Sequence, residues 1–206
     1  AWSCPRSCAR APSTRNVSSS RCAPRPRVWT RTVLLKHEFL NARGAIARFQ
    51  RSAIEIRVLD VQETPRADLA IALVVTTAVR ALAEERWVPL ARLHELSTES
   101  LADVLHDVYR AGEAARIEHP ALLAALGRSR PMTAAELWCE LVDELRGLPS
   151  SSTGDWEELG PVIDSILARG PLARRLLTAL GDEPDARRIH AVWLRLADCL
   201  ARGELF

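Results

Sequence analysis

The chain has almost no lysine, and its first 32 residues have no lysine, aspartate or glutamate at all. Only one of its 28 basic residues is lysine, and seven of the arginines lie in residues 1–32. Residues 33–206 therefore hold 21 basic residues against 26 acidic ones, a net charge of −5. This mildly acidic body argues against a general nucleic-acid binder.

The chain also lacks a long hydrophobic run. Its longest one, from Leu69 to Val79, covers 11 residues and includes two threonines. A helix that spans a bilayer needs about 20 apolar residues, and residues 1–32 contain no apolar block of the kind that a secretory signal has. We therefore expect no membrane partner and a cytoplasmic location.

The common motifs for metals, nucleotides and nucleophilic catalysis are missing too. Cys4 and Cys8 resemble half of a zinc site, but no second pair stands at a matching distance. The sequence has no H-E-x-x-H, G-x-S-x-G, G-x-x-x-x-G-K-[ST] or G-x-G-x-x-G. Cys139 and Cys199 lie in apolar helical patterns, which predicts packed, reduced thiols. We predict structural roles for all five histidines: His37, His94, His106, His119 and His190.

Residues 1–32 differ in character from the rest of the chain. They are rich in Arg, Ser, Pro and Cys and show neither a helix period nor a strand period. Three interpretations are open: an organelle transit peptide, a disordered basic tail, or translation of a GC-rich gene in the wrong frame. The arginine bias favours the wrong frame, so we assign no function to this segment.

Residues 33–206 predict an α+β fold with one or two strands followed by helices. The stretch N-A-R-G-A-I-A-R-F (41–49) is predicted as a loop, and Ser52 to Asp60 as a strand. Thr64-Pro65 predicts the start of a helix that is apolar on all sides and therefore buried. P-S-S-S-T-G (149–154) is predicted as a loop.

The remainder of the chain shows helical periodicity. Thr133 and Glu136 form a capping box, and Gly181 is expected to end a helix. Apolar residues at helical spacing predict a packed core. The residues expected to be buried are Leu69, Leu73, Val104, Leu105, Leu141, Ile163, Leu177 and Leu196.

Two charged side chains share one face of the predicted strand. Alternation places Glu55 and Arg57 opposite Ile54 and Ile56. On an open surface the pair would be a solvated salt bridge worth less than about 1 kcal/mol. However, Arg43 and Arg48 lie just before the strand, and crowded guanidinium groups suit phosphate or carboxylate oxygens, while a carboxylate suits Mg²⁺.

The same stretch resembles a known family. L-N-A-R-G-A-I-A-R-F-Q-R-S-A-I-E-I-R-V-L-D-V-Q-E-T-P-R-A-D-L-A-I-A (40–72) is similar to the C-terminal half of the glutamate–cysteine ligase type 2 family, the bacterial carboxylate–amine ligases of the glutamine synthetase superfamily. The ending L-A-D-C-L-A-R-G-E-L-F is also similar to that family's terminus. The resemblance covers about residues 33–206, which we take as the C-terminal part of a glutamine-synthetase-like catalytic domain.

The resemblance implies an activity and a site. A ligase of this family uses ATP and Mg²⁺ to join amino-acid substrates through an acyl phosphate. It implies that Glu55 is a metal ligand, that Arg57 is catalytic, and that Arg43 and Arg48 bind ATP phosphates. The sequence leaves open which carboxylate and which amine are joined, and whether the protein forms homo-oligomers.

One feature departs from the family pattern. Family members carry most of their metal-binding carboxylates upstream of this region, where this chain has the dissimilar residues 1–32. We therefore expect a truncated chain that is inactive on its own. The alternative is a non-catalytic helical fragment or interaction module in which the Glu55–Arg57 pair is only structural.

Overall fold

A computed structural model describes residues 44–59, 61–149 and 153–206, and the chain divides into two compact units, residues 1–60 and 61–206. The first unit is described through one β-hairpin, and the second is mainly helical. The predictions for residues 1–32 and for Arg43 lie outside the described residues, as do Asp60 and residues 150–152 of the predicted loop.

Helices make up most of the described residues, and none of them is both long and apolar enough to cross a membrane. The α-helices in the described ranges are α1 (Pro65–Ala83), α2 (Leu90–His94), α3 (Thr98–Ala111), α4 (Pro120–Ala125), α5 (Ala134–Arg146), α6 (Thr153–Arg169), α7 (Leu172–Leu180) and α8 (Ala186–Arg202).

Two small antiparallel sheets accompany the helices. The strands are β1 (Ala45–Arg48), β2 (Ala53–Ile56), β3 (Arg116–Ile117) and β4 (Met132–Thr133). β1 pairs with β2 in the first unit, and β3 pairs with β4 in the second. A mostly helical chain with short antiparallel sheets confirms the α+β prediction.

Local sequence signals set the helix ends where we expected them. Thr64 caps α1 by accepting the N–H of Ala67, and Pro65 occupies the first turn. The capping box before α5 is complete, because Thr133 and Glu136 accept each other's backbone N–H groups. Gly181 ends α7 with φ of +75°, a backbone angle that glycine adopts without strain.

The main core of the second unit lies between α1, α5 and α6, with β3 and α4 beside them. The face that α1 gives to this core consists mostly of small side chains, which allow helices to approach closely. Its buried residues are Ala67, Ala70, Val74, Thr77 and Ala81. A second, smaller cluster joins α7 and α8 around Val192, Cys199 and Phe206.

The predicted burial is correct for some residues and wrong for others. Leu141 and Ile163 are buried, and Leu73, Val104, Leu105 and Leu196 are partly buried. Leu69 and Leu177 are 60% and 59% exposed, so their predicted burial is wrong. Each lies two residues from the side chain that faces inward, and two residues turn an α-helix by about 200°.

The prediction that α1 is buried on all sides is also wrong, because Val79 as well as Leu69 is exposed. Of the two cysteines in the helical part, Cys199 is buried as expected, whereas Cys139 is exposed. Cys139 lies on the side of α5 opposite Leu137 and Leu141, which face the core.

A close contact between an indole ring and a glycine joins the loop after α1 to the loop after α4. The Nε1–H of Trp87 donates to Glu144 of α5 at 2.9 Å, which fixes the ring. Gly127 has φ of +69°, and a Cβ added there would lie 2.5 Å from Cδ1 of Trp87. Only a residue without a side chain fits against the fixed ring.

We therefore expect Gly127→Ala to lower the free energy of unfolding by about 2–4 kcal/mol, from left-handed backbone strain and the clash with Trp87 together. Gly203→Ala is the matched control, because Gly203 has φ of +68° and nothing within 4 Å of an added Cβ. Urea unfolding of both variants measures the difference. Equal losses would show that the Trp87 contact contributes nothing.

We also expect Leu141→Ala to lower the free energy of unfolding by about 2–5 kcal/mol, because it leaves a cavity between α5 and its neighbours. Leu69→Ala makes the same chemical change at a site that is 60% exposed, so its effect should stay below about 1 kcal/mol. Denaturant unfolding measures both values. A similar loss for the two variants would contradict the described core.

Candidate active site

The charged side chains of the opening strand lie on a tight β-hairpin. β1 ends in a short 3₁₀ turn, Phe49–Arg51, and Ser52 adopts φ of +48° before β2 begins. The antiparallel register places Ile46 opposite Glu55 and Arg48 opposite Ala53. Directly paired residues of two antiparallel strands project from the same face.

This register brings Arg48, Glu55 and Arg57 to one face of the hairpin. We expected Arg48 in a loop, and that prediction is wrong, because Arg48 is the last residue of β1. The sequence A-I-A-R alternates as a strand does, and its pairing with A-I-E-I supplies the backbone hydrogen bonds that turn it into one.

The Glu55 carboxylate lies between the two arginines. Nε of Arg48 donates to Oε2 at 2.5 Å, and Nε of Arg57 donates to Oε1 at 2.8 Å. The hydrogen bond from Arg48 is the main cause of a lowered pKa for Glu55; partial burial opposes it and Arg57 reinforces it. Glu55 is therefore negatively charged at neutral pH, beside two positive groups.

The side chains on the two faces of the hairpin differ in how exposed they are to solvent. Ile46, Arg48 and Glu55 on the charged face are partly covered. Ile54 and Ile56 on the apolar face are 62% and 38% exposed. Ala53 and Arg57 on the charged face are exposed as well, so the hydrogen bonds themselves keep the two guanidinium groups close to their shared carboxylate.

The fit of a divalent cation rests on one side chain. Within residues 44–59, 61–149 and 153–206, no group of three or more His, Cys, Asp or Glu side chains could hold a metal ion. Glu55 supplies one hard, anionic oxygen ligand of the type that Mg²⁺ prefers. Arg48 and Arg57 suit the oxygens of a phosphate next to such an ion.

His119 has a structural role, as we predicted for the histidines. Its Nδ1 accepts the backbone N–H of Leu122 and caps α4. Its Nε2 therefore carries the proton and donates to Oγ of Ser100, 2.9 Å away. Because a protonated Nε2 cannot take the proton of a hydroxyl, His119 does not activate Ser100 as a nucleophile.

Sequence reasoning missed a buried ion pair in the second unit. Nη1 of Arg175 donates to Oε1 of Glu63 at 2.5 Å, and their side chains are 5% and 0% exposed. The backbone N–H of Phe206 donates to the same oxygen at 3.2 Å. A signal was present, since Arg175 stands at helical spacing between Leu172 and Ala179, where an apolar residue is normally expected.

Two comparisons with known proteins give a match. Residues 14–192 match the profile of glutamate–cysteine ligase family 2. A protein from Archaeoglobus fulgidus, described only as uncharacterized, is 33% identical over 173 residues, which are 84% of this chain and 39% of that protein. The chain therefore spans well under half the length of this relative.

The comparisons also limit two predictions. No solved structure matches the chain, so the glutamine-synthetase-like fold stays a prediction. The matched range begins inside residues 1–32, and that segment lies outside the described residues. The boundary at residue 33 therefore stays a prediction as well.

We expect Glu63→Gln to lower the free energy of unfolding at neutral pH by about 3–5 kcal/mol, because it leaves the Arg175 charge buried without its partner. Burial raises the pKa of Glu63, but hydrogen bonds from Arg175 and from the backbone N–H groups of Glu63 and Phe206 outweigh it, so the pKa lies below its ordinary value of 4.5. The stabilisation is complete above that value and is lost as pH falls below it.

Urea unfolding at pH 7, 5, 4 and 3 tests this prediction. The parent chain should lose more stability between pH 5 and pH 3 than Glu63→Gln does. Glu204→Gln is the control, since this carboxylate is 62% exposed, and it should follow the parent chain. Parallel curves for the parent chain and Glu63→Gln would show that the buried pair does not stabilise the fold.

Proposed function

Because the chain belongs to glutamate–cysteine ligase family 2, we propose that it is part of an ATP-dependent carboxylate–amine ligase that acts on amino-acid substrates in the cytoplasm. The observation that carries the proposal is the hairpin face on which an ionised Glu55 lies between Arg48 and Arg57. The family match covers this hairpin.

The proposed roles follow from the chemistry of each side chain. Arg57 binds the transferred phosphoryl group or the substrate carboxylate, because its planar fork matches two oxygens at once. Arg48 binds an ATP phosphate from the neighbouring strand. Arg43 is assigned the same role from the resemblance, and its position lies outside the described residues. Glu55 supplies a metal ligand and holds the two guanidinium groups side by side.

The absent groups supply the driving force when they are bound. When bound, ATP would supply the phosphoryl group that activates the substrate carboxylate for attack by an amine, and Mg²⁺ would neutralise charge on the phosphates. The residues of the hairpin orient oxyanions and balance the charge that develops during transfer. Within the described residues, Glu55 is the one carboxylate on this face, so the remaining metal ligands would come from outside the hairpin.

The alternative function rests on the same hydrogen bonds. Both oxygens of Glu55 already accept an arginine N–H, as they would in a structural pair that pins β1 to β2. Under this interpretation the chain is a helical interaction module, and the hairpin charges stabilise it without binding a ligand.

We expect Glu55→Gln to reduce ligase turnover by at least about tenfold while the melting temperature changes little, because glutamine keeps the shape but loses the charge that a hard cation requires. ADP release with ATP, Mg²⁺, glutamate and cysteine measures turnover. The assay uses a family protein that contains this hairpin and is as long as the Archaeoglobus fulgidus relative. The melting temperature is measured on the same preparation.

Arg57→Lys should reduce turnover comparably, since lysine cannot offer a two-pronged contact. Arg51→Lys is the matched control, because Arg51 lies in the exposed turn of the same hairpin, and it should keep normal turnover. Normal turnover in both site variants, with a lowered melting temperature, would favour the structural pair and end the catalytic assignment.

A further inference from the structure

A groove in the second unit is lined by arginines that the proposed ligase site does not use. It has a volume of about 400 Å³, within the range of small-molecule sites. It is formed by the end of α6, by α7, by α8 and by the last residue of the chain. The lining residues are Arg169, Arg175, Thr178, Ala179, Arg195 and Phe206.

The three guanidinium groups take different positions in this groove. Arg175 is buried at its base, where Nη1 holds Glu63 and Nε donates to the backbone oxygen of Gly170 at 3.2 Å. Arg169 and Arg195 are exposed at its rim. Nη2 of Arg169 donates to the backbone oxygen of Phe206, and the guanidinium of Arg195 lies 4.3 Å above the centre of the Phe206 ring.

The groove has more positive charge than its own side chains neutralise. Among the described residues, Glu63 is the acidic side chain that pairs with one of these three arginines. The carboxyl group of Phe206, the last residue, accepts from Arg169 and Arg175 and carries a second negative charge. Arg195 forms no salt bridge with an acidic side chain in the described ranges, so three positive charges face two negative ones. The remaining positive charge of Arg195, at the rim of a concave surface, creates a local potential that attracts an anion.

A second observation points the same way. Nη2 of Arg175 and Oε2 of its partner Glu63 are both buried, and neither has a hydrogen-bond partner within the described ranges of the chain. Buried polar groups without a partner are rare in folded proteins because each one costs free energy. A lining residue of the groove therefore keeps an unused donor, although it is less than one-tenth exposed.

We propose that this groove binds a small oxyanion, a molecule that bears phosphate or carboxylate groups, between Arg169 and Arg195 and above Arg175. The guanidinium forks match the paired oxygens of either group. Ala179 provides an apolar contact for the rest of the ligand. The site is independent of the hairpin and does not rest on the proposed ligase activity.

The test is isothermal titration calorimetry of the chain with sodium phosphate and with sodium citrate, against sodium chloride at matched ionic strength. We expect saturable binding of at least one oxyanion and none of chloride. Saturation by phosphate alone assigns the phosphate class, and saturation by citrate alone assigns the carboxylate class. Absence of saturable binding by both probes would overturn the proposal.

Variants locate the binding. Arg195→Gln should weaken binding of the active probe at least about tenfold, because it removes a charged, forked donor from the rim. Arg187→Gln is the matched control: it makes the same charge change on the same helix, at an exposed residue outside the groove, and it should bind like the parent chain.

Arg169→Gln tests the opposite rim of the groove. Thermal unfolding is measured for every variant, and Arg169→Gln takes the place of Arg195→Gln if the latter does not fold. Equal affinities of a folded rim variant and Arg187→Gln would show that the anion binds elsewhere, and the proposal would be wrong.

Discussion

The buried pair of Glu63 and Arg175 constrains segments from both ends of the second unit. Glu63 directly precedes the cap residue of α1, and Arg175 is the residue of α7 that faces inward. The same carboxylate oxygen accepts the N–H of Phe206, whose carbonyl accepts from Arg175 and Arg169. Three segments far apart in sequence thus meet at one pair of charges.

A pair of this kind is costly to bury and has strict requirements. Removing two charges from water costs several kcal/mol for each ion, which good geometry and additional hydrogen bonds must offset. Gly170 and Phe206 provide such bonds with their backbone groups. The geometry of these hydrogen bonds therefore helps to specify the fold around the pair, in addition to hydrophobic burial. In the main core, by contrast, small side chains of α1 pack against α5 and α6.

The sequence predicted those parts of the fold that local rules determine. The cap at Thr64, the capping box at Thr133 and the helix end at Gly181 each depend on residues within one or two turns, and all three are confirmed. The exposure of Leu69 and Leu177 was not predictable in this way. Apolar residues occupy nearly all sides of α1, so periodicity alone does not choose which side faces the core. On α7, Leu177 lies about 200° around the helix from Arg175, which takes the inward position.

Part of the candidate site was predicted from the sequence and part of it was missed. Alternation along the strand predicted that Glu55 and Arg57 share a face, and the structure confirms it. The strand at Arg48 was missed although its partner β2 begins only five residues later. The stretch 41–49, with one glycine and two arginines, was interpreted as a loop. Arg175 was missed for a different reason, since its partner Glu63 is 112 residues away.

The separate cluster between α7 and α8 has a consequence for how the molecule moves. Those two helices bury Val192, Cys199 and Phe206 mainly against each other, apart from the larger core of α1, α5 and α6. Charged contacts, namely Arg175 with Glu63 and Arg174 with Glu113, tie α7 to the other segments. We therefore expect the last two helices to open together, so that their amide hydrogens exchange with solvent faster than those of α1, α5 and α6.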